Sequence, residues 1–203
     1  AELIAINAAT NGNVVLNAET IAQDHNDTAT GLATAFEGID TLTGDLFLAD
    51  IRPAMMGEII IINNATNGNV VLNAETIAQT YDDTAANIAA AFDGITSFEG
   101  GLNLIDTGSI LASDVIFISS LTSGATTANA TSHITGSSAE IVSAIGAVSF
   151  SPDVTLAITG TDSATVAELM TINATTSGNV VLNAATIAQT YDDTAANLAA
   201  AFD

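Results

Sequence analysis

The phrase GNVVLNAETIAQTYDDTAANIAAAFDG runs from Gly68 to Gly94, and nearly the same words start at Gly12 and again at Gly178. Near-identical stretches fold alike. A chain built from them is therefore restricted to architectures that use one unit several times and bury each unit's apolar face against its neighbour. The glycine that precedes the repeated strand steps by 56 residues and then by 110, almost twice as far. A further copy is therefore expected near position 124, and Gly124 stands there in a diverged stretch. In that stretch Ile141 and Ile145 keep the spacing of Ile88 and Phe92, and GAVSFSPDVTL from Gly146 matches GITSFEGGLNL from Gly94. The reading is one continuous array of four copies: 1–56, 57–112, a degenerate 113–166 and a truncated 167–203.

Each copy reads as helix, strand, helix, strand. In the fourth copy Val166, Leu169, Met170 and Ile172 suit one face of a short helix, with Glu168 in its first turn, where the helix dipole favours an acid. NVVLNA is rich in β-branched residues and bounded by Asn and Gly, so it predicts a strand. DDTAANIAAAF predicts a second helix, capped by Asp82 or Asp83 and burying Ala85, Ile88 and Phe92. The degenerate copy offers a capping box instead, Ser137-x-x-Glu140. Gly38, Gly94 and Gly146 fall where a helix C-terminal glycine belongs. GDLFLAD, GGLNLID and PDVTLAI then supply the second strand.

Strands separated by helices imply crossover connections and parallel pairing. The expected fold class is thus α/β, a repeat solenoid with a parallel sheet on one side and short helices on the other. In outline it is like a leucine-rich repeat, and a parallel β-helix is the alternative. Asn17, Asn73 and Asn183 follow the strand leucine in three copies, so a row of asparagines satisfying turn backbone is one expectation and a plain turn residue the other. The chain begins inside a helix and stops before the expected glycine and strand. Both ends are therefore expected to be interfaces toward flanking repeats or further copies of the chain.

Composition narrows the partners. The chain carries 23 acids against a single basic residue, Arg52, for a net charge of −22. A surface so uniformly negative repels phosphate, which argues against nucleic acid and anionic membrane surfaces. It favours solubility and leaves cations as counter-species. No cysteine is present, and no apolar run is long enough to span a bilayer.

TVAELMTINATTSGNVVLNAATIA, followed by DDTAANLAAAF and strands of the VTLAITGTDSA type, resembles the repeats of giant cell-surface and secreted proteins of marine cyanobacteria and related bacteria. The resemblance spans the whole chain at the level of the repeat. It implies an extracellular adhesin, fibre or surface-layer protein. The glycine-rich calcium-binding nonapeptide common in such proteins is missing here: Gly100-Gly101 lacks the following glycine and aspartate.

The chemical motifs are correspondingly sparse. His25 lies between Asp24 and Asp27, but tyrosines stand at the aligned Tyr81 and Tyr191, so His25 and the isolated His133 read as variable surface residues. The recurring pairs Asp82–Asp83 and Asp192–Asp193 are the candidate metal ligands, with Ca²⁺ as the suitable ion, against a simpler role as helix N-terminal acids. No nucleophile has a base beside it, and no phosphate loop is possible without lysine. The sequence thus predicts no enzyme and no cofactor. It points to a structural repeat segment of a bacterial extracellular fibre, surface layer or adhesin stalk, stacking end to end, with a glycan- or protein-binding adhesion module as the alternative.

Overall fold

The computed structural model describes residues 2–10 and 12–202. It is α/β, with three sheets of parallel strands and no closed barrel. The chain forms two compact units, one of residues up to Leu102 with Leu121–Gly124, the other of Asn103–Ser120 with the residues from Ala125 onward.

The first unit holds α1 (Glu2–Ala8), α2 (Ala18–Ala22), β1 (His25–Asp27), α3 (Ala29–Phe36), β2 (Leu46–Leu48), α4 (Met56–Ala65), β3 (Val70–Val71), α5 (Ala74–Ile77), β4 (Tyr81–Asp83) and α6 (Ala85–Phe92). Strand β5 (Leu102–Leu104) follows. β1, β2 and β3 pair in parallel in chain order, His25 opposite Leu46 and Leu46 opposite Val70, and each crossover carries a helix. The helices follow the same succession, α1 against α3, α3 against α4, α4 against α6. Between the two layers lie Leu32, Phe36, Leu42, Leu46, Ile59 and Ile62, all essentially inaccessible to solvent.

The second unit holds β6 (Ser109–Leu111), α7 (Ala112–Ser120), β7 (Thr126–Ala128), β8 (His133–Gly136), α8 (Ser138–Ala147), β9 (Ser149–Phe150), β10 (Thr155–Ile158), α9 (Val166–Thr175), β11 (Val180–Val181), α10 (Ala184–Ala188) and α11 (Ala195–Phe202). β6, β8, β10 and β11 again pair in parallel in chain order, and β7 pairs with β9 in another sheet. Helices α7, α8, α9 and α11 pack successively. In neither succession does strand order reverse. Among the described residues neither succession has the reversal at which doubly wound folds open a ligand crevice.

Several local expectations hold. Ser137 and Glu140 form the capping box of α8. Gly38 and Gly94 follow α3 and α6 with φ of 77° and 79°, the left-handed conformation that ends a helix. Ile88 and Phe92 are fully buried, and Ala85 half-buried.

Others need correction. Gly146 lies inside α8, which runs on to Ala147, so it ends nothing. NVVLNA is a strand for only two residues, Val70–Val71 and Val180–Val181, because the asparagine that follows caps an extra short helix. Asn17, Asn73 and Asn183 each accept an N–H three residues on, at 2.8 Å from Thr20, Thr76 and Thr186. The acids expected to cap the next helix instead belong to a strand in the second copy, Tyr81–Asp83. The cap itself is a threonine: Thr28, Thr84 and Thr194 accept from the N–H of Gly31, Asn87 and Asn197.

Candidate functional site

Asp83 accepts the N–H of Thr84 at 2.8 Å and the side-chain amide of Asn87 at 2.7 Å. Asp193 does the same with Thr194 and Asn197, both at 2.7 Å. These acids brace the start of a helix from one residue before its cap. Asp82 and Asp192 sit beside them on the exposed surface. Among the described residues, no three His, Asp or Glu side chains gather closely enough to hold a metal ion.

His25 is not a loose surface residue. Its ring meets Phe36 edge-on at 5.0 Å, as Tyr81 meets Phe92 at 5.4 Å and Tyr191 meets Phe202 at 5.2 Å. Its Nε2 lies 3.4 Å from the Thr20 carbonyl, just as the Tyr191 hydroxyl lies 3.2 Å from that of Thr186. The position is an inward aromatic in all three copies. His133 is exposed and shares a contact with the Ser132 hydroxyl at 2.9 Å.

What recurs with full geometry is a polar bracket that grips an extended segment 21 to 27 residues earlier in the chain. Asn73 donates to the carbonyls of Asp50 and Arg52 at 2.9 and 3.0 Å. Thr76 accepts the N–H of Ala54 at 2.8 Å, and the Tyr81 hydroxyl donates to the Ala54 carbonyl at 2.7 Å. Both backbone groups of Ala54 are thereby satisfied by side chains, which a buried residue outside any ladder requires. In the second unit Asn183 donates to the carbonyls of Gly160 and Asp162, Thr186 accepts from Ala164, and Tyr191 donates to the Ala164 carbonyl. The same offsets, 22 residues from alanine to threonine and 27 from alanine to tyrosine, recur in both. The asparagine row proposed for turn backbone is thus half of a larger device. Its threonine and alanine members escape sequence reading because neither residue type announces a role, although the fixed offsets were there to be found.

A second contact of this kind joins the helices. The amides of Asn7 and Asn63 donate to two carbonyls each at the C-terminal ends of α3 and α6, where helix carbonyls have no intrahelical partner. Asn173 donates likewise to Ala200 of α11.

The one cation is part of the bracket in the first unit. Arg52 grips Glu58 with two parallel bonds of 2.7 and 3.0 Å, and its Nε lies 3.4 Å from Asp50. Glu58 also accepts the Met55 N–H and the Thr30 hydroxyl. Burial pushes the Glu58 carboxyl up, but Arg52, the Met55 N–H and Thr30 outweigh it and hold it below the usual range. The hydrogen bond to Glu58 holds the Arg52 guanidinium above its ordinary value. Burial pushes the Tyr81 hydroxyl up to about 12, so it stays a donor at any physiological pH.

These groups bind backbone and one another; no nucleophile, base or electrophile is juxtaposed among them. Two measurements test the assignment. Thr76→Val removes a buried acceptor and strands the Ala54 N–H, so it should cost about 2 kcal/mol in urea unfolding. Thr20→Val, at the aligned position where no N–H is received, should leave the midpoint unchanged. The second concerns acid. Glu58 has a lower pKa folded than unfolded, so its contribution is present above about pH 4.5, the ordinary value, and fades as pH falls through the folded pKa. The stability difference between the protein and its Glu58→Gln variant should therefore shrink steadily from pH 6 to pH 3, and a constant difference would refute the pairing.

The class these features define is an α/β protein with three sheets of parallel strands, with side-chain brackets that hold extended segments. No family model, curated protein or solved structure matches the chain.

Proposed function

We propose that the chain is a structural repeat segment of a bacterial extracellular fibre, surface layer or adhesin stalk. Its copies are coils of one solenoid and assemble by end-to-end stacking. The carrying observation is that aligned residues differ in exposure according to whether another coil covers them. Ile62, Ile118 and Ile172 are at most 1% exposed, while Ile6 at the same repeat position is 52% exposed. Phe36 and Phe92 are at most 1% exposed, while Phe202 is 48% exposed. A side chain that is core wherever a neighbouring copy covers it supports reading the copies as stacked units.

The mechanism is mechanical. Within each unit, parallel strands added in sequence extend a backbone ladder, and the proposed stacking would continue the apolar strip behind it. The acidic exterior keeps the array soluble and bars adhesion to phosphate-rich surfaces. No helix among the described residues is long and apolar enough to cross a membrane. The resemblance to giant bacterial surface proteins supports the extracellular placement. Negative-stain microscopy of the native material, with immunogold labelling of intact cells, tests the reading. Thin continuous fibres or stalks outside the cell would support it; dispersed particles, or label confined to the interior, would overturn it.

A further inference from the structure

We infer that the polar pocket between the C-terminal turns of α4 and α6 is a binding site for one neutral pyranose sugar. The pocket has a volume of about 520 Å³ and is lined in part by Asn64, Asn67, Val70, Ala89, Ala90 and Asp93. It lies within the first unit, where α3 packs on the far side of α4 and the chain runs on past α6 to β5. The inference stands apart from the stacking proposed above and adds a ligand to it.

The frame of the pocket is fixed by bonds within the protein. Asn63 donates to the carbonyls of Ala90 and Asp93 at 3.2 and 3.0 Å and so ties the two helices together. Thr66 donates to the Gly44 carbonyl at 2.7 Å and accepts the Gly68 N–H at 2.9 Å, which holds the loop that leaves α4. A site held in this way has little freedom left to lose when it is filled. The side chains of Asn64, Asn67 and Asp93 are in a different position. All three are exposed and, among the described residues, bond to nothing in the protein. Each amide offers two donors and an acceptor, and the carboxylate only accepts. Adjacent sugar hydroxyls, each both donor and acceptor, complement that set. Val70, Ala89 and Ala90 supply small apolar ground for the C–H face of a ring.

The four copies divide along the same line. Thr10, Thr66, Thr122 and Thr176 keep the frame threonine, and a glycine stands two residues after each. The position of Asn64 is Ala8, Ser120 and Ala174 in the other copies, and that of Asn67 is Ser123 and Ser177 in the later two. A constant frame with variable residues at its mouth is how a repeat scaffold carries recognition. Charge then selects the class of sugar. In a chain of net charge −22, with Asp93 at the site, uronic and sulfated sugars are repelled and neutral ones are not.

The test uses the full chain, isotope-labelled for NMR and titrated with glucose, galactose, mannose and N-acetylglucosamine. Each is added as the free sugar and as its methyl glycoside, and glucuronate is the acidic control. At least one neutral sugar should shift the side-chain amide signals of Asn64 and Asn67 saturably, and glucuronate should bind about tenfold more weakly or worse. Asn64→Ala and Asn67→Ser install residues that other copies already carry, so the fold should persist while binding falls about tenfold in each. Tighter binding of the glycoside would support a unit of a glycan as the occupant, and tighter binding of the free sugar a dissolved one. No saturable shift with any of these sugars, shifts centred elsewhere, equal affinity for glucuronate, or unchanged binding in both variants would overturn the site.

Discussion

Phe92→Ala is expected to lower stability by about 4 kcal/mol, and Phe202→Ala by about 1 kcal/mol or less. The two phenylalanines end almost the same helix, AANIAAAF and AANLAAAF. Phe92 is fully enclosed, stacked on Phe98 at 4.2 Å and tilted against Tyr81 at 5.4 Å. Its removal leaves a cavity lined by rings that cannot collapse into it. Phe202 has one ring contact, Tyr191 at 5.2 Å, and about half its surface in water. Urea unfolding followed by circular dichroism reads both. Equal losses would mean that enclosure does not decide what a residue at this repeat position contributes, and would overturn the proposed stacking.

The second large effect concerns backbone approach. A Cβ on Gly100 would lie 1.8 Å from the Gln79 carbonyl oxygen, far inside contact distance. Gly44, Gly68, Gly124 and Gly178 meet the same obstacle, with a carbonyl oxygen 2.1 to 2.5 Å away. At each of these corners one turn of the chain passes directly over the one before. Backbone cannot yield as a flexible side chain does, so Gly100→Ala should cost about 3 kcal/mol or more. Two controls separate this from a general intolerance of alanine. Gly12, aligned with Gly68, has nothing closer than the Thr10 hydroxyl at 3.4 Å and should accept alanine without loss. Gly146 lies within helix α8 with open space around it, and Gly146→Ala should stabilise by about 0.5–1 kcal/mol. Thermal melts of the three variants check the order.

The bracket explains why so few residue types suffice. Small aliphatic side chains fill a thin core but cannot satisfy the backbone where the chain leaves a ladder. At Ala54 and Ala164 an Asn, a Thr and a Tyr do that, each reaching a carbonyl or N–H 21 to 27 residues earlier in the chain. This accounts for much of the asparagine and threonine in the sequence. It also gives the single arginine a local task, since Arg52 neutralises Glu58, an acid that burial alone would not tolerate as an ion.

The sequence by itself determined the repeat, its period, the α/β class, the parallel sense of the strands and the apolar positions Ile88, Phe92, Leu169 and Ile172. Those properties are written in spacing, and spacing is local. It also located the capping box at Ser137 and the helix-ending glycines Gly38 and Gly94, because each of those conformations is settled within a turn. Only the tertiary structure decided that His25–Asp27 and Tyr81–Asp83 are strands, that Thr84 caps in place of the acids, and that Asn73 starts a helix. It also decided that Ala54 is held from both sides by Thr76 and Tyr81. The strands and the hold on Ala54 depend on partners 20 or more residues away, such as Leu46 beside His25 or Ala54 beside Tyr81, whereas the caps of Thr84 and Asn73 are bonds to the N–H three residues on. A strand exists only where another backbone offers its hydrogen bonds, and a buried alanine is satisfied only by the side chains that fold over it.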